Sequence, residues 1–402
     1  MRREVSLRSR HPRRGLVSRA LGLLLAMAMF ATPGSSAQAG GGFEHGFPPG
    51  DDFFPLAVWL QAPFRAPEYV AIGINTFFGL WQGPTEEQLS EVAKQGIYTI
   101  AMQNDVGLGS PNAGVIRAWM QDDEPDNAQP GSPGGGPPWL PCIPAAEVAR
   151  RTAELKARDP SRPVAINFGR GVADVGWPGR GTCTGDTGYY DKAIVGADIL
   201  AFDFYPVANE SPSKKGKLEY VAMGVNNLLR WAKRDQAVWA VIETSALDPA
   251  RPVKPAEVRS EVWMALIHGA KGITYFAHEF APKFREDGVF NHPEVVEELG
   301  RINRTIKTLA PVLNTPGAGY PVAVFPPARI DTMTRIRDGV FYLFAIEMEG
   351  RAATARLAID GISDGDGTVL NEDRAVAIRQ GFLQDEFAPY GVHIYKVPIA
   401  PR

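Results

Sequence analysis

The apolar residues in the middle of the chain form short continuous runs that alternate with amphipathic helical patterns. Continuous apolar runs are typical of parallel strands that helices cover on both faces, whereas half-exposed strands alternate apolar and polar residues. Eight strand–helix units over roughly 260 residues predict an α/β fold, a (β/α)8 TIM barrel, between residues 51 and 315. The predicted strands are Phe54–Gln61, a strand within Tyr69–Trp81, Ile97–Asn104, Gly114–Glu124, Arg162–Gly169, Ala197–Val207, Ala237–Ala246 and Gly272–Phe280.

A doubly wound open sheet is the structural alternative to a barrel. No glycine-rich phosphate loop follows the first predicted strand, which disfavours a nucleotide-binding version of that sheet. After Pro316 the pattern changes to short β-rich runs separated by Gly/Asp turns. We therefore predict a small antiparallel β-sandwich domain over residues 316–402. Its segment DGISDGDGT lacks the full ligand spacing of a calcium loop, so we expect a plain turn there.

The N-terminus has the three parts of a secretory signal peptide. A basic region contains Arg2, Arg3, Arg8, Arg10, Arg13 and Arg14. An apolar run from Ala20 to Ala31 follows it, and then the small residues Ala37 and Ala39. The run of about 12 residues is too short for a comfortable transmembrane helix, although a permanent N-terminal anchor is the alternative. We predict a signal peptide over residues 1–39, loosely of the twin-arginine type, and a Gly-rich linker over residues 40–50. The protein is therefore expected to be secreted or periplasmic, with no stable membrane span after signal cleavage.

The net charge and the two cysteines bear on three questions: whether the protein binds nucleic acid, whether it has a disulfide, and whether it has a zinc site. The formal net charge is −3, so no basic excess points to nucleic acid as a partner. Cys142 and Cys183 are the two cysteines, and both lie in Gly/Pro-rich segments. In an exported protein such a pair is often a disulfide, here joining two loops, with two free thiols as the alternative. No nearby histidine cluster supports a zinc site.

Candidate reactive residues lie where the predicted strands end, because barrel enzymes carry their chemistry at the carboxyl ends of the strands. Glu243 follows the apolar run VWAVI, where a carboxylate is costly unless a cleft or hydrogen bonds compensate it. A carboxylate pair roughly 5–5.5 Å apart is what retaining glycoside hydrolysis requires. The candidates are Asp123 and Glu124 (fourth strand), Asn167 (fifth), Asp203 and Tyr205 (sixth), Glu243 (seventh), His278 (eighth), and Trp81 and Trp177 for stacking on a sugar ring.

The chain resembles glycoside hydrolase clan A between Asp51 and Leu313, with no single family assigned. The resemblance rests on WMQDDEP, ADILAFDFYPV and VWAVIETS, in that order. It implies that Glu124 is the acid/base, that Glu243 is the nucleophile, and that Tyr205 hydrogen-bonds the nucleophile. Asp123 departs from the clan, because an asparagine that binds a sugar hydroxyl usually stands there. The strand-two arginine is not evident in GINTFFGLW, and Phe276 or His278 replaces the strand-eight tryptophan.

The sequence therefore predicts a secreted retaining glycoside hydrolase that cleaves an oligo- or polysaccharide by a two-glutamate double displacement. Its partner is the carbohydrate substrate, and we expect no cofactor and no metal. One alternative is a carbohydrate-binding surface protein on the same barrel whose catalytic pair has drifted. Another is a different hydrolase or a lyase that uses His278 with Asp203.

Overall fold

A closed barrel of eight parallel strands forms the body of the protein, as the sequence predicts. The computed structural model describes residues 42–131, 136–175, 186 and 188–399. Each barrel strand pairs with its sequence neighbours, and the last pairs with the first. The strands are β1 Leu56–Trp59, β2 Thr76–Phe78, β3 Tyr98–Met102, β4 Ile116–Asp123, β5 Val164–Phe168, β6 Ile199–Asp203, β7 Ala237–Glu243 and β8 Gly272–Phe276.

Helices follow the strands and cover the outside of the barrel. They are α1 Ala66–Ala71, α2 Glu86–Lys94, α3 Asp105–Gly109, α4 Ala145–Arg158, α5 Tyr190–Ala193, α6 Glu219–Trp231, α7 Pro255–Ile267 and α8 Pro293–Leu313. At α2 the Thr85 hydroxyl accepts the Gln88 backbone N–H, and the Gln88 side chain accepts the Thr85 N–H. This capping box explains why the helix begins after Thr85. In the part of the chain that the structure describes, no helix has both the length and the apolar character needed to cross a membrane.

Alternate residues of each strand contribute to two apolar clusters, one between strands and helices and one inside the barrel. Inside, Trp59, Phe78 and Trp239 are the large side chains. Phe47 also packs there, with its ring 5.6 Å from that of Trp239 and only 2 % of its surface exposed. Residues 42–50, expected to be a linker, thus add an apolar side chain to the barrel core.

Two antiparallel sheets follow the barrel and enclose a third apolar cluster. This agrees with the predicted β-domain. The three-stranded sheet has the order β9–β12–β15, and the five-stranded sheet has the order β10–β11–β16–β13–β14. These strands are β9 Val322–Val324, β10 Ile330–Arg337, β11 Val340–Glu347, β12 Ala353–Ile359, β13 Gly365–Val369, β14 Arg374–Ile378, β15 Phe382–Phe387 and β16 Val392–Pro398.

Candidate active site

An irregularity in β4 decides which acidic side chains enter the mouth of the barrel. The pairing of β4 with β5 shifts register between Met120 and Asp123. Gln121 and Asp122 both turn outward to α4, where Asp122 forms an ion pair with Arg151. Asp123 turns to β5 and accepts a hydrogen bond from the Asn167 side chain at 2.9 Å. A bulge of this kind re-aims side chains next to functional sites.

Asp123 is exposed as a whole residue, yet protein atoms surround its carboxyl group. Protein atoms around the carboxyl remove much of its hydration, and this burial raises the pKa of Asp123 to about 7. The neighbouring Glu124 adds to the increase, while the hydrogen bond from Asn167 opposes it. At neutral pH Asp123 is therefore present in both protonated and ionised forms, and the protonated form can donate a hydrogen bond.

Glu124 sits in a backbone conformation that few non-glycine residues adopt, with φ of 43°. Its N–H donates to the Asn167 carbonyl at 2.9 Å, and the Asn127 side chain donates to Glu124 Oε2 at 2.8 Å. A Cβ placed on Gly169 would stand 2.9 Å from Glu124 Oε1. The glycine at the end of β5 thus makes room for this carboxylate, and strain of this type is common at functional sites.

A substitution at Gly169 tests whether the space that this glycine leaves for the Glu124 carboxylate is needed for activity. Gly169→Ala should leave the fold intact, because its φ of −83° suits alanine. The added methyl group should displace the Glu124 carboxylate and lower kcat by about tenfold, since small misplacements of reacting groups are costly. Gly109→Ala is the matched control, because a Cβ there meets no atom within 4 Å. Equal kcat values for the two variants would show that the position of Glu124 is not critical.

Three further groups complete a cluster of acids at this mouth. The Asp203 carboxyl at the end of β6 lies beside Glu124, and the Tyr205 hydroxyl donates to Asp203 Oδ2 at 3.3 Å. Asp126 accepts the Gly169 N–H at 2.8 Å and the Tyr190 hydroxyl at 2.9 Å. Two carboxyl groups can lie this close without strong repulsion when one of them is protonated. The contact with Glu124 therefore favours the protonated form of Asp203.

Burial and like charge both favour the protonated form of Asp203. Burial raises the pKa of Asp203 well above its usual range, and the charges of Glu124 and Asp123 raise it further. Burial also raises the pKa of Asp126 to about 6. The resemblance to clan A implied that Tyr205 bonds Glu243, but the structure directs its hydroxyl to Asp203. Sequence reasoning missed Asp126, although the pattern DEPD places it two residues after Glu124.

Glu243 belongs to a different group of acids. Its two carboxylate oxygens accept the backbone N–H groups of Val207 and Ala208, at 2.6 and 3.0 Å. Only 1 % of Glu243 is exposed, and burial raises its pKa to about 8. The charged groups that act on it are Glu257 and Arg251, and it acts in turn on the fully buried Glu261. Glu243 therefore fixes the segment that leaves β6, and its assignment as nucleophile stays a prediction.

The raised pKa of Asp123 predicts a pH dependence of stability. Because the folded protein holds this proton up to about pH 7 and the unfolded chain releases it near pH 4, raising the pH across that interval favours unfolding. The stability of the wild type relative to Asp123→Asn should therefore fall as the pH rises from about 4 to about 7. Chemical denaturation of both proteins across this range measures the difference. A constant difference would mean that Asp123 titrates normally.

The other residues that the sequence predicts for the site or for a disulfide are His278, Trp81, Trp177, Cys142 and Cys183. His278 is buried, its Nε2 lies 3.2 Å from the Leu60 carbonyl oxygen, and burial lowers its pKa. Trp81 follows β2 with 66 % of its surface exposed, which suits stacking on a ligand. Trp177 and Cys183 lie outside the described residues. Cys142 is buried. Because its predicted partner lies outside the described residues, the Cys142–Cys183 bridge stays a prediction.

Within the described ranges, no group of three or more His, Cys, Asp or Glu side chains is arranged to hold a metal ion. The cluster at the mouth is a set of neighbouring carboxyl groups, of which Asp123, Asp126 and Asp203 have raised pKa values. Such a set can donate a proton to a bound oxygen atom and stabilise positive charge that develops beside it.

Comparisons with known proteins agree with the fold. No family model and no curated protein sequence matches this chain. An alpha-amylase from Geobacillus thermoleovorans, solved with acarbose, matches with 10 % identity and a TM-score of 0.51 over 87 % of this chain and 99 % of its own. An Anoxybacillus alpha-amylase matches with 9 % identity and a TM-score of 0.51 over 88 % and 99 % of the two chains.

A third solved structure, AmyP in complex with maltotriose, matches with 12 % identity and a TM-score of 0.53. That match covers 87 % of this chain and 98 % of the AmyP chain. Identities this low show shared architecture rather than shared chemistry. The chain thus resembles glycoside hydrolases in fold, from its barrel through its C-terminal β-domain.

Proposed function

We propose that this protein is a glycoside hydrolase that cleaves glycosidic bonds of an oligo- or polysaccharide at the mouth formed by β4, β5 and β6. The observation that carries the proposal is the cluster of the Asp123, Glu124, Asp126 and Asp203 carboxyl groups at the carboxyl end of the barrel, where Asp203 is fully buried beside Glu124 and its pKa is raised. A proton held there is available to a glycosidic oxygen that enters the mouth. Export from the cell through the predicted signal peptide is part of the same proposal.

The proposed reaction is a retaining double displacement. Glu124 donates a proton to the leaving oxygen while a carboxylate attacks the anomeric carbon, so that the glycosidic bond breaks and a glycosyl ester forms. Glu124, now ionised, then takes a proton from water, and the water oxygen displaces the ester carboxylate. Asp203 supports the first step by holding a proton beside Glu124, and Tyr205 orients Asp203.

Glu243 is the proposed nucleophile, as the resemblance to clan A implies. In the ionised form, which attack requires, each of its oxygens accepts one N–H and keeps a second lone pair. Because the side chain is buried, attack requires the segment at Val207 and Ala208 to move aside when substrate binds. That burial also favours the second candidate function, a carbohydrate-binding protein on the same barrel that no longer turns substrate over.

A panel of aryl glycosides and polysaccharides, assayed with the wild type, Glu243→Ala and Glu124→Gln, tests the proposal. We expect hydrolysis by the wild type, release of the product with retained anomeric configuration by NMR, and rescue of Glu243→Ala by azide as a glycosyl azide. Wild-type activity in Glu243→Ala would exclude Glu243 as the nucleophile. Binding of a glycan without cleavage by the wild type would establish the carbohydrate-binding alternative.

A further inference from the structure

A closed loop after β8 carries two exposed phenylalanines beside the barrel mouth. The backbones of Glu279 and Arg285 exchange two N–H···O bonds of 2.9 Å, which closes the segment between them. Phe280 and Phe284 lie in this segment with 59 % and 54 % of their surfaces exposed. Their ring centroids are 5.8 Å apart. We call residues 279–285 the phenylalanine loop.

The phenylalanine loop is held firmly at its base. The Glu279 carboxylate accepts hydrogen bonds from Asn291 Nδ2 at 2.7 Å and from the Ala246 N–H at 3.3 Å. Its Oε1 also lies 2.5 Å from His292 Nε2. Because these bonds fix Glu279, the two rings stay exposed at a defined place. Paired large apolar side chains held in water are unfavourable for folding and mark contact surfaces.

A series of aromatic contacts joins this loop to the acid cluster. Tyr205, which donates to Asp203, has its ring 5.2 Å from that of Phe276. Phe276 lies 6.3 Å from Phe280 with an angle of 26° between the ring planes. The rings of Tyr205, Phe276 and Phe280 therefore form a row from the carboxyl groups to the edge of the mouth. Neighbouring ring centroids in this row are about one pyranose length apart.

We propose that the phenylalanine loop binds sugar units of the substrate chain beyond the bond that is cleaved, an inference that rests on the proposed glycoside hydrolase function. The occupant is a glycan rather than a protein, because the aromatic series begins at the proposed reacting groups. Its C–H faces must be flat enough to stack on Phe280 and Phe284, which favours pyranoses with mainly equatorial hydroxyls. The substrate class is therefore a chain of several sugar units rather than a single glycoside.

The double variant Phe280→Ala/Phe284→Ala tests this site. Kinetics on malto-, cello- and xylo-oligosaccharides of two to six units should show kcat/KM about tenfold lower for the longest cleaved chain, mainly through KM. The value for a single-sugar aryl glycoside should change less than about twofold. Phe325→Ala, an exposed phenylalanine of the β-domain, is the control. Unchanged kcat/KM on the longest cleaved chain would overturn the proposed site while leaving the hydrolase function in place.

A binding measurement separates this site from catalysis. Calorimetry of Glu124→Gln with the same oligosaccharides should give a Kd that rises about tenfold when both phenylalanines are also replaced. If the wild type binds these chains without cleaving them and the double variant binds more weakly, the hydrolase proposal fails while the sugar site stands. Equal Kd values for Glu124→Gln with and without the two phenylalanine replacements would overturn the sugar site. A wild type that neither binds nor cleaves any of the oligosaccharides would overturn both proposals.

Discussion

Replacing Glu124 with glutamine is expected to lower kcat/KM on an oligosaccharide by about 10²- to 10⁴-fold, the usual contribution of a general acid. Glutamine keeps the shape of the side chain but has no acidic proton to give to the leaving oxygen. It also removes the carboxylate charge that raises the pKa of Asp203. On an aryl glycoside with a very acidic leaving group the loss should be smaller, because such a group departs without protonation. Steady-state kinetics on the two substrate types measures both effects.

Asp122→Asn is the matched control for this prediction. Asp122 lies two residues before Glu124 in the chain, yet its carboxylate faces outward and pairs with Arg151. Its replacement should change kcat/KM by less than about threefold, because exposed ion pairs contribute little to stability and this one lies away from the mouth. If Asp122→Asn were as damaging as Glu124→Gln, the loss would reflect general damage to β4 rather than loss of an acid.

Replacing Glu243 with alanine is expected to lower the free energy of unfolding by about 2–4 kcal/mol, because two backbone N–H groups would lose their acceptors in a buried place. The segment that leaves β6 would then be held less firmly, and activity would fall with stability. Denaturant unfolding monitored by circular dichroism measures the change. Azide rescue of activity would show a nucleophile, whereas loss without rescue would show that Glu243 only supports the segment.

Glu261→Met is the control for this second prediction. Glu261 is fully buried, and neither of its carboxyl oxygens has a hydrogen-bond partner among the described residues. Burial raises its pKa well above the usual range, and the charge of Glu243 adds to the increase. An apolar residue of similar volume should therefore leave stability unchanged or increase it. A Glu243→Ala protein as stable as the wild type would contradict the proposed anchoring of Val207 and Ala208.

The sequence predicted the strands well because each barrel strand is a local run of buried apolar residues. For example, Ala237–Ala246 was predicted and Ala237–Glu243 was found. Phe47 was missed as a core residue, because its Gly-rich surroundings carry the pattern of a linker. Only the closed barrel shows that a ring at this point fills the interior beside Trp239.

The sequence by itself determined the barrel, the β-domain and the positions along the chain where acidic side chains end apolar strands. These features depend on local hydrophobic periodicity and on turn residues, and short stretches of sequence are enough to specify both. The tertiary structure alone decided where the acids point. The bulge in β4 separates Asp122 from Asp123, the glycine at 169 admits Glu124, and the backbone of Val207 and Ala208 engages Glu243. These contacts join residues far apart in the chain, so no local pattern specifies them.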